Sequence, residues 1–120
     1  MAEILHIESA LELQNGEEEV LTELLKKFLS EKPFSKAELN LLESKNLQEA
    51  ADYIHYYKNF ARQLGAEKLV DVGKLLENAI LGRIPMDVMS LNDEFEKVYF
   101  STVETIRETL EILLSDKIES

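Results

Sequence analysis

Two histidines are the only imidazoles in the chain, His6 and His55, and only the second has neighbours that suggest chemistry. His6 falls in the first few residues and is read as incidental. Around His55, the residues at i−4, i−3, i+3, i+4 and i+7 are Ala51, Asp52, Lys58, Asn59 and Arg62. On a helix these positions share its face. A neutral imidazole carries a lone pair and titrates near neutrality, so it can attack phosphorus without a separate base. A transferred phosphoryl group bears negative charge that a neighbouring ammonium offsets. Lys58, one turn on, is the candidate for that role. The bland alternative is a pair of unrelated surface residues, since histidine and lysine three apart are common.

That reading requires a helix with His55 at the edge of its buried side. Ala50, Ile54, Tyr57, Ala61 and Leu64 recur at intervals of three and four and mark that side. His55 falls beside the stripe, where solvent can reach the ring. Asn46-Leu-Gln-Glu49 has the form of an N-cap followed three residues later by a glutamate, so the helix starts near Leu47. Gly65 ends it.

The rest of the chain reads as helices too. A short one spans about Ile7 to Leu13 and stops at Gln14-Asn15-Gly16. A second opens in Glu17-Glu18-Glu19, acids suited to the positive end of a helix dipole. It carries Val20, Leu21, Leu24, Leu25, Phe28 and Leu29. Pro33 breaks or kinks it. The pattern resumes with Leu39 and Leu42, which predicts one bent helix to about Ser44, with two shorter helices as the alternative. Another runs from about Ala66 to Leu81 with Leu69, Val72, Leu76 and Ile80 inward. Gly73 inside it costs about 1 kcal/mol relative to alanine, which close approach of a neighbouring helix would explain. After Ile84-Pro85, the stripe Val88, Leu91, Phe95, Val98, Thr102, Ile106, Leu110 and Leu113 predicts a last helix of about seven turns. No segment alternates with period two. The expectation is an all-α, antiparallel up-and-down four-helix bundle with a short additional N-terminal helix, a single domain over residues 1–120.

Composition narrows the function. At 120 residues with 45% hydrophobic content, the chain suits one core. The absence of cysteine removes disulfides and thiolate metal or redox sites. No apolar run is long enough for a bilayer, and the N-terminus does not read as a secretion signal, which makes the cytoplasm the expected location. A net charge of −11 argues against nucleic acid. Against that background, His55 to Lys74 holds four cations (Lys58, Arg62, Lys68, Lys74) and two anions (Glu67, Asp71). Chance clustering on a solvated face would also produce this.

The segment His55-Tyr-Tyr-Lys58-Asn-Phe-Ala-Arg-Gln-Leu-Gly65-Ala66-Glu-Lys-Leu69, continuing to Leu75-Leu76-Glu77, resembles the signature of the histidine-containing phosphotransfer (HPt) domain family. Ile7-Glu-Ser-Ala-Leu, Asn15-Gly16 and Leu24-Leu25-Lys-Lys-Phe28-Leu29 are similar to that family's first helix, turn and second helix, so the likeness extends over nearly the whole chain. The resemblance implies that His55 is the phosphorylated residue and that Lys58 balances phosphoryl charge. It further implies that Glu77 orients the imidazole through its other ring nitrogen; a solvated Glu77 is the alternative. Gly65 would be a turn residue. Two positions depart from the pattern. Asn59 replaces a glycine that leaves room for a partner, and Phe60 replaces a small residue and is expected to pack against a neighbouring helix. Asn59 would narrow partner choice, slow transfer or hydrogen-bond the phosphoryl group.

The function so implied is a phosphorelay carrier between receiver aspartates and His55, with Ala51, Asp52, Asn59 and Arg62 at the partner surface. Its partners would be response-regulator receiver domains and a hybrid sensor histidine kinase. No cofactor is expected. There is no nucleotide loop for ATP, and magnesium would come from the receiver. Monomers are the expectation. The alternatives are a module that binds receivers to sequester them without efficient transfer, a plain helical interaction protein, and a segment of a larger kinase. A metal hydrolase finds no ligand set in two distant histidines.

Overall fold

The computed structural model describes the backbone of residues 7–119 and the side chains of 7–115. His6 therefore lies outside the described residues. Everything regular within them is helical: α1 Ile7–Leu13, α2 Glu18–Ser30, α3 Lys36–Lys45, α4 Leu47–Leu64, α5 Glu67–Ile80 and α6 Val88–Glu119. None of these helices is long and apolar enough to cross a membrane.

The expected bent helix is in fact two. α2 ends at Ser30, and the chain runs extended through Pro33 before Ser35 opens α3. Proline removes a donor and disfavours helix for the residue before it, which accounts for the stop. What makes the break a corner rather than a kink is anchoring. Phe34 is buried against Tyr53, Tyr57, Phe95 and Tyr99, with ring centroids 4.9 to 5.9 Å apart. The Ser35 amide donates to the Tyr53 hydroxyl at 3.0 Å, the Tyr57 hydroxyl donates to the Lys32 carbonyl at 2.8 Å, and Ser35 Oγ caps α3 by accepting from the Glu38 amide. Breaking a helix leaves backbone groups unpaired. Here two tyrosines of α4 satisfy two of them, the Ser35 amide and the Lys32 carbonyl.

α4 begins and ends where its own residues dictate. Asn46 Oδ1 accepts from the Glu49 amide at 3.1 Å, the N-cap expected from the sequence. At the other end Gly65 takes a left-handed conformation (φ 72°), and the Ala66 amide closes a 6→1 bond onto the Ala61 carbonyl at 2.9 Å. Only Gly65 and Ala66 separate α4 from α5, so these two helices form the most extensive contact.

α5 packs in turn on α6, which also contacts α2 and α3; α3 and α2 both reach α4. The core is one cluster that includes Leu21, Leu25, Leu39, Ile54, Leu64, Leu69, Leu76, Phe95 and Ile106. α6 is longer than its apolar stripe suggests, with 32 residues, or about 48 Å at 1.5 Å per residue, and it sets the 52 Å long axis. Its buried threonines are tolerated because each turns its hydroxyl back on its own helix: Thr102 donates to the Val98 carbonyl at 2.7 Å and Thr109 to that of Thr105 at 2.8 Å.

Candidate functional site

The middle of α4 carries the site, and α5 completes it. Contact is close because Gly73 has no side chain: a Cβ there would lie 3.2 Å from Lys58 Cβ, 3.3 Å from Lys58 Cγ and 3.3 Å from Phe95 Cε2. This is the helix approach that the sequence invoked for Gly73. It lets the Lys58 stem lie flat on α5, one turn before Glu77.

Glu77 is the hub. His55 Nδ1 lies 2.7 Å from its Oε1, and Lys58 Nζ donates to its Oε2 at 2.6 Å. One carboxylate thus holds two side chains from the neighbouring helix. An ionised carboxylate can only accept, so Nδ1 of His55 carries a proton, and in the neutral form of the ring it is Nε2 that presents the lone pair. The His55 side chain is 53% exposed while that of Glu77 is 13% exposed. The ring is therefore fixed from beneath and open above. Of the two readings left open for Glu77, the solvated helix residue does not fit.

Lys58 differs from its expected place. It is not a solvent-facing cation beside the imidazole; its side chain is 8% exposed and its ammonium points at Glu77. A charge with so little access to water needs a partner, and the carboxylate 2.6 Å away supplies one.

His55 stands on a ridge between two shallow grooves of about 430 Å³ each. The groove on the α5 side is lined by Gln48, Ala51, Asp52, Lys58, Lys74, Glu77, Asn78, Leu81 and Arg83. The groove on the α2 side is lined by Leu24, Lys27, Glu31, Asp52, Tyr56, Asn59, Phe60 and Gln63. Asp52 is exposed and borders both, with Oδ1 accepting from Gln48 Nε2 at 3.0 Å. Tyr56 is half exposed, and its hydroxyl is held above the ordinary tyrosine range by burial and by the Glu31 carboxylate.

The other expected surface residues separate. Ala51 is 3% exposed, so it floors the α5-side groove and offers a partner almost no area. This corrects its expected place at the partner surface; a residue one turn before His55 on the α5 side is covered by α5. Asn59 is half-buried beside His55 on the α2 side and accepts from Arg62 Nη1 at 3.4 Å. Arg62 itself is exposed but borders neither groove; it lines a separate concavity with Leu13, Gly65, Glu67, Val70 and Asp71. Phe60 is buried edge-to-face on Phe28 of α2, with centroids 5.1 Å apart, as the sequence suggested.

Sequence reasoning did not assign Lys74 and Arg83 to the site. Lys74 had a signal, standing one turn before Glu77 on the same face; Arg83 had none, because its position depends on the turn after α5. Among the described residues no group of three carboxylate or histidine side chains is placed to hold a metal ion. Compared with protein-family models, with curated proteins and with solved structures, the chain matches none.

Proposed function

We propose that this chain is a histidine phosphotransfer protein, relaying a phosphoryl group between receiver-domain aspartates and His55. The observation that carries the reading is the orientation of the His55 ring: Nδ1 is held at 2.7 Å by a largely buried carboxylate, which leaves Nε2 to face a partner. A histidine that merely decorates a helix has no need of such a hold.

In the forward step the Nε2 lone pair attacks phosphorus of an aspartyl phosphate, the P–N bond forms as the P–O bond to the aspartate breaks, and the aspartate leaves as a carboxylate. The return step reverses this. Glu77 accepts from Nδ1–H throughout, which stabilises the positive charge the ring gains as Nε2 bonds to phosphorus. Lys58 acts at one remove from the direct role implied by the resemblance, holding Glu77 in position through the 2.6 Å contact. Nothing in this scheme calls on a nucleotide, and a magnesium ion would arrive with the receiver.

The matching architecture is an antiparallel up-and-down bundle of α2, α4, α5 and α6, with α1 at the entrance and α3 bridging α2 to α4. Support comes from the two-residue link between α4 and α5 and from the contacts of α5 with α6 and α2 with α6. Response-regulator receivers and a hybrid sensor histidine kinase are the partners in this reading, docking over Asp52, Tyr56 and Asn59, with the protein acting as a cytoplasmic monomer.

A second reading is a module that binds receivers and sequesters them. It is favoured by Asn59, whose side chain occupies the groove edge beside His55. Incubation with a phosphorylated receiver separates the two. Acid-labile, base-stable label on the wild type and none on His55→Ala is the outcome expected of a carrier. Stable docking with no label on the wild type would establish sequestration, and neither docking nor label would remove both readings.

A further inference from the structure

An anion arriving at His55 Nε2 needs positive charge, and the cation nearest in sequence is already engaged. Lys58 is buried and paired at 2.6 Å with Glu77, and the same carboxylate holds His55. With the imidazole neutral, the form whose lone pair can attack phosphorus, the trio of imidazole, carboxylate and ammonium carries no net charge. Any remaining attraction must come from the groove walls.

The two walls differ in sign. On the α2 side, Lys27 stands against Glu31 and Asp52. On the α5 side, Lys58, Lys74 and Arg83 stand against Asp52 and Glu77. Lys74 and Arg83 are both exposed, and neither has an ion-pair partner within 4 Å among the described residues. In a protein of net charge −11, the α5-side groove gathers two exposed cations beside His55, whereas the α2-side groove sets one cation against two carboxylates. Lys74 sits one turn before Glu77 on α5, and Arg83 follows the helix by three residues. The groove that both line also takes in His55, so long, flexible side chains from both positions can converge on an oxygen bonded to phosphorus at Nε2. An ammonium and a planar guanidinium fork are the two side chains best suited to phosphate oxygens.

We infer that Lys74 and Arg83, rather than Lys58, form the anion-binding wall that receives the phosphoryl group at His55, on the α5 side of the ridge. This rests on the phosphotransfer reading for its biological substrate, but the anion site can be tested apart from it. The incoming group then lies over α5, and the α2-side groove is left to the partner's protein surface.

The experiment has two arms on the full chain. In the first, inorganic phosphate is titrated into the protein while the ¹H–¹⁵N resonances of the His55 ring are followed by NMR. The expected result is a saturable shift whose apparent affinity falls roughly ten-fold or more in Lys74→Ala/Arg83→Ala, the loss of about one charge-assisted hydrogen bond. Lys45→Ala/Lys97→Ala removes the same charge at exposed positions elsewhere and should leave the titration unchanged. Loss in both double variants alike would mean a general field effect and overturn the inference. So would a wild-type ring that phosphate does not perturb, or a shift that survives in Lys74→Ala/Arg83→Ala. In the second arm, label transfer from a phosphorylated receiver tests the parent reading. Wild type that accepts label, with Lys74→Ala/Arg83→Ala accepting it equally fast, sinks the inference and leaves the carrier standing. A phosphate response lost in Lys74→Ala/Arg83→Ala but no label on the wild type sinks the carrier and leaves the anion wall in place.

Discussion

Two partly buried carboxylates tie neighbouring helices together in this protein, and they are built differently. Glu77 on α5 meets a histidine and a lysine from α4, and each of its oxygens has a partner below 3 Å. Glu43 on α3 meets only amides: Asn92 Nδ2 of α6 donates to its two oxygens at 3.0 and 3.2 Å and to Asn40 Oδ1 at 3.4 Å. No cation is within ion-pair distance of Glu43 among the described residues, burial raises its pKa above the usual carboxylate value, and the buried Oδ1 of Asn92 has no hydrogen-bond partner. The first cluster gives each carboxylate oxygen its own partner and leaves the imidazole half open to solvent. The second joins α3 to α6 and leaves polar capacity unused. One network is satisfied beneath an imidazole that is 53% exposed; the other is imperfect and holds no imidazole.

The sharpest way to break this contrast is to remove its hub. Glu77→Ala strands the Lys58 ammonium in a pocket where its side chain is 8% exposed. Removing one partner of a buried pair costs several kcal/mol, and with Glu77 slightly open to water about 2–3 kcal/mol is expected here. That corresponds to a fall in Tm on the order of 10 °C for a domain of this size. Adding Lys58→Met removes the stranded charge and should restore most of the loss. Thermal unfolding of the two variants checks both figures, and a single variant as stable as wild type would show that Lys58 is not held by Glu77 in solution.

A smaller effect is expected from Gly73→Ala. In an open helix this change stabilises by about 1 kcal/mol. Here the new methyl would stand 3.2 Å from Lys58 Cβ and 3.3 Å from Phe95 Cε2. Neither neighbour yields easily: Phe95 is fully buried and the lysine stem is tethered through its ion pair. Overpacking of this kind costs about 1–3 kcal/mol, so a net loss of about 1 kcal/mol in chemical denaturation is expected. Net stabilisation would mean that α4 and α5 have slack, and that the geometry around Glu77 is less fixed than its distances imply.

How much of this was legible in the sequence depended on whether the signal was local. Asn46 and Gly65 bound α4 through their own side-chain and backbone chemistry, so both ends could be read. Pro33 announced a break but not its form, because the corner is held by Phe34 and by the Tyr53 hydroxyl, eighteen residues beyond the Ser35 amide it accepts from. At the site, helical spacing placed Lys58 near His55 but could not say whether the ammonium turns outward or inward. That choice is made by Glu77, nineteen residues away, and by the missing side chain at Gly73. The family resemblance pointed to Glu77; periodicity did not. Ala51 and Arg62 share a helical face with His55 yet leave its surface, one covered by α5 and the other turned to a different concavity. Face-sharing on one helix says nothing of what the next helix covers.

The smallest expected effect tests the other half of the comparison. Burial raises the pKa of Glu43 above the ordinary glutamate value of 4.5, and the Asn92 amide only partly opposes this. The folded state therefore holds the Glu43 proton more tightly than the unfolded state does. Its contribution is fully present below the unfolded pKa and is lost as pH rises through the folded one, so above about pH 4.5 this residue makes the protein progressively less stable. The carboxylate is still largely wetted, which limits the effect to a few tenths of a kcal/mol. Glu43→Gln removes the titration, and its new amide can donate to the unpartnered Oδ1 of Asn92. A gain of about 0.5 kcal/mol at neutral pH follows, with a flatter stability profile between pH 4.5 and 7 than wild type. Unfolding by denaturant across that range measures both. Loss of stability at neutral pH would show that the charge on Glu43 is needed, and that the α3–α6 cluster resembles the His55 cluster more closely than its geometry suggests.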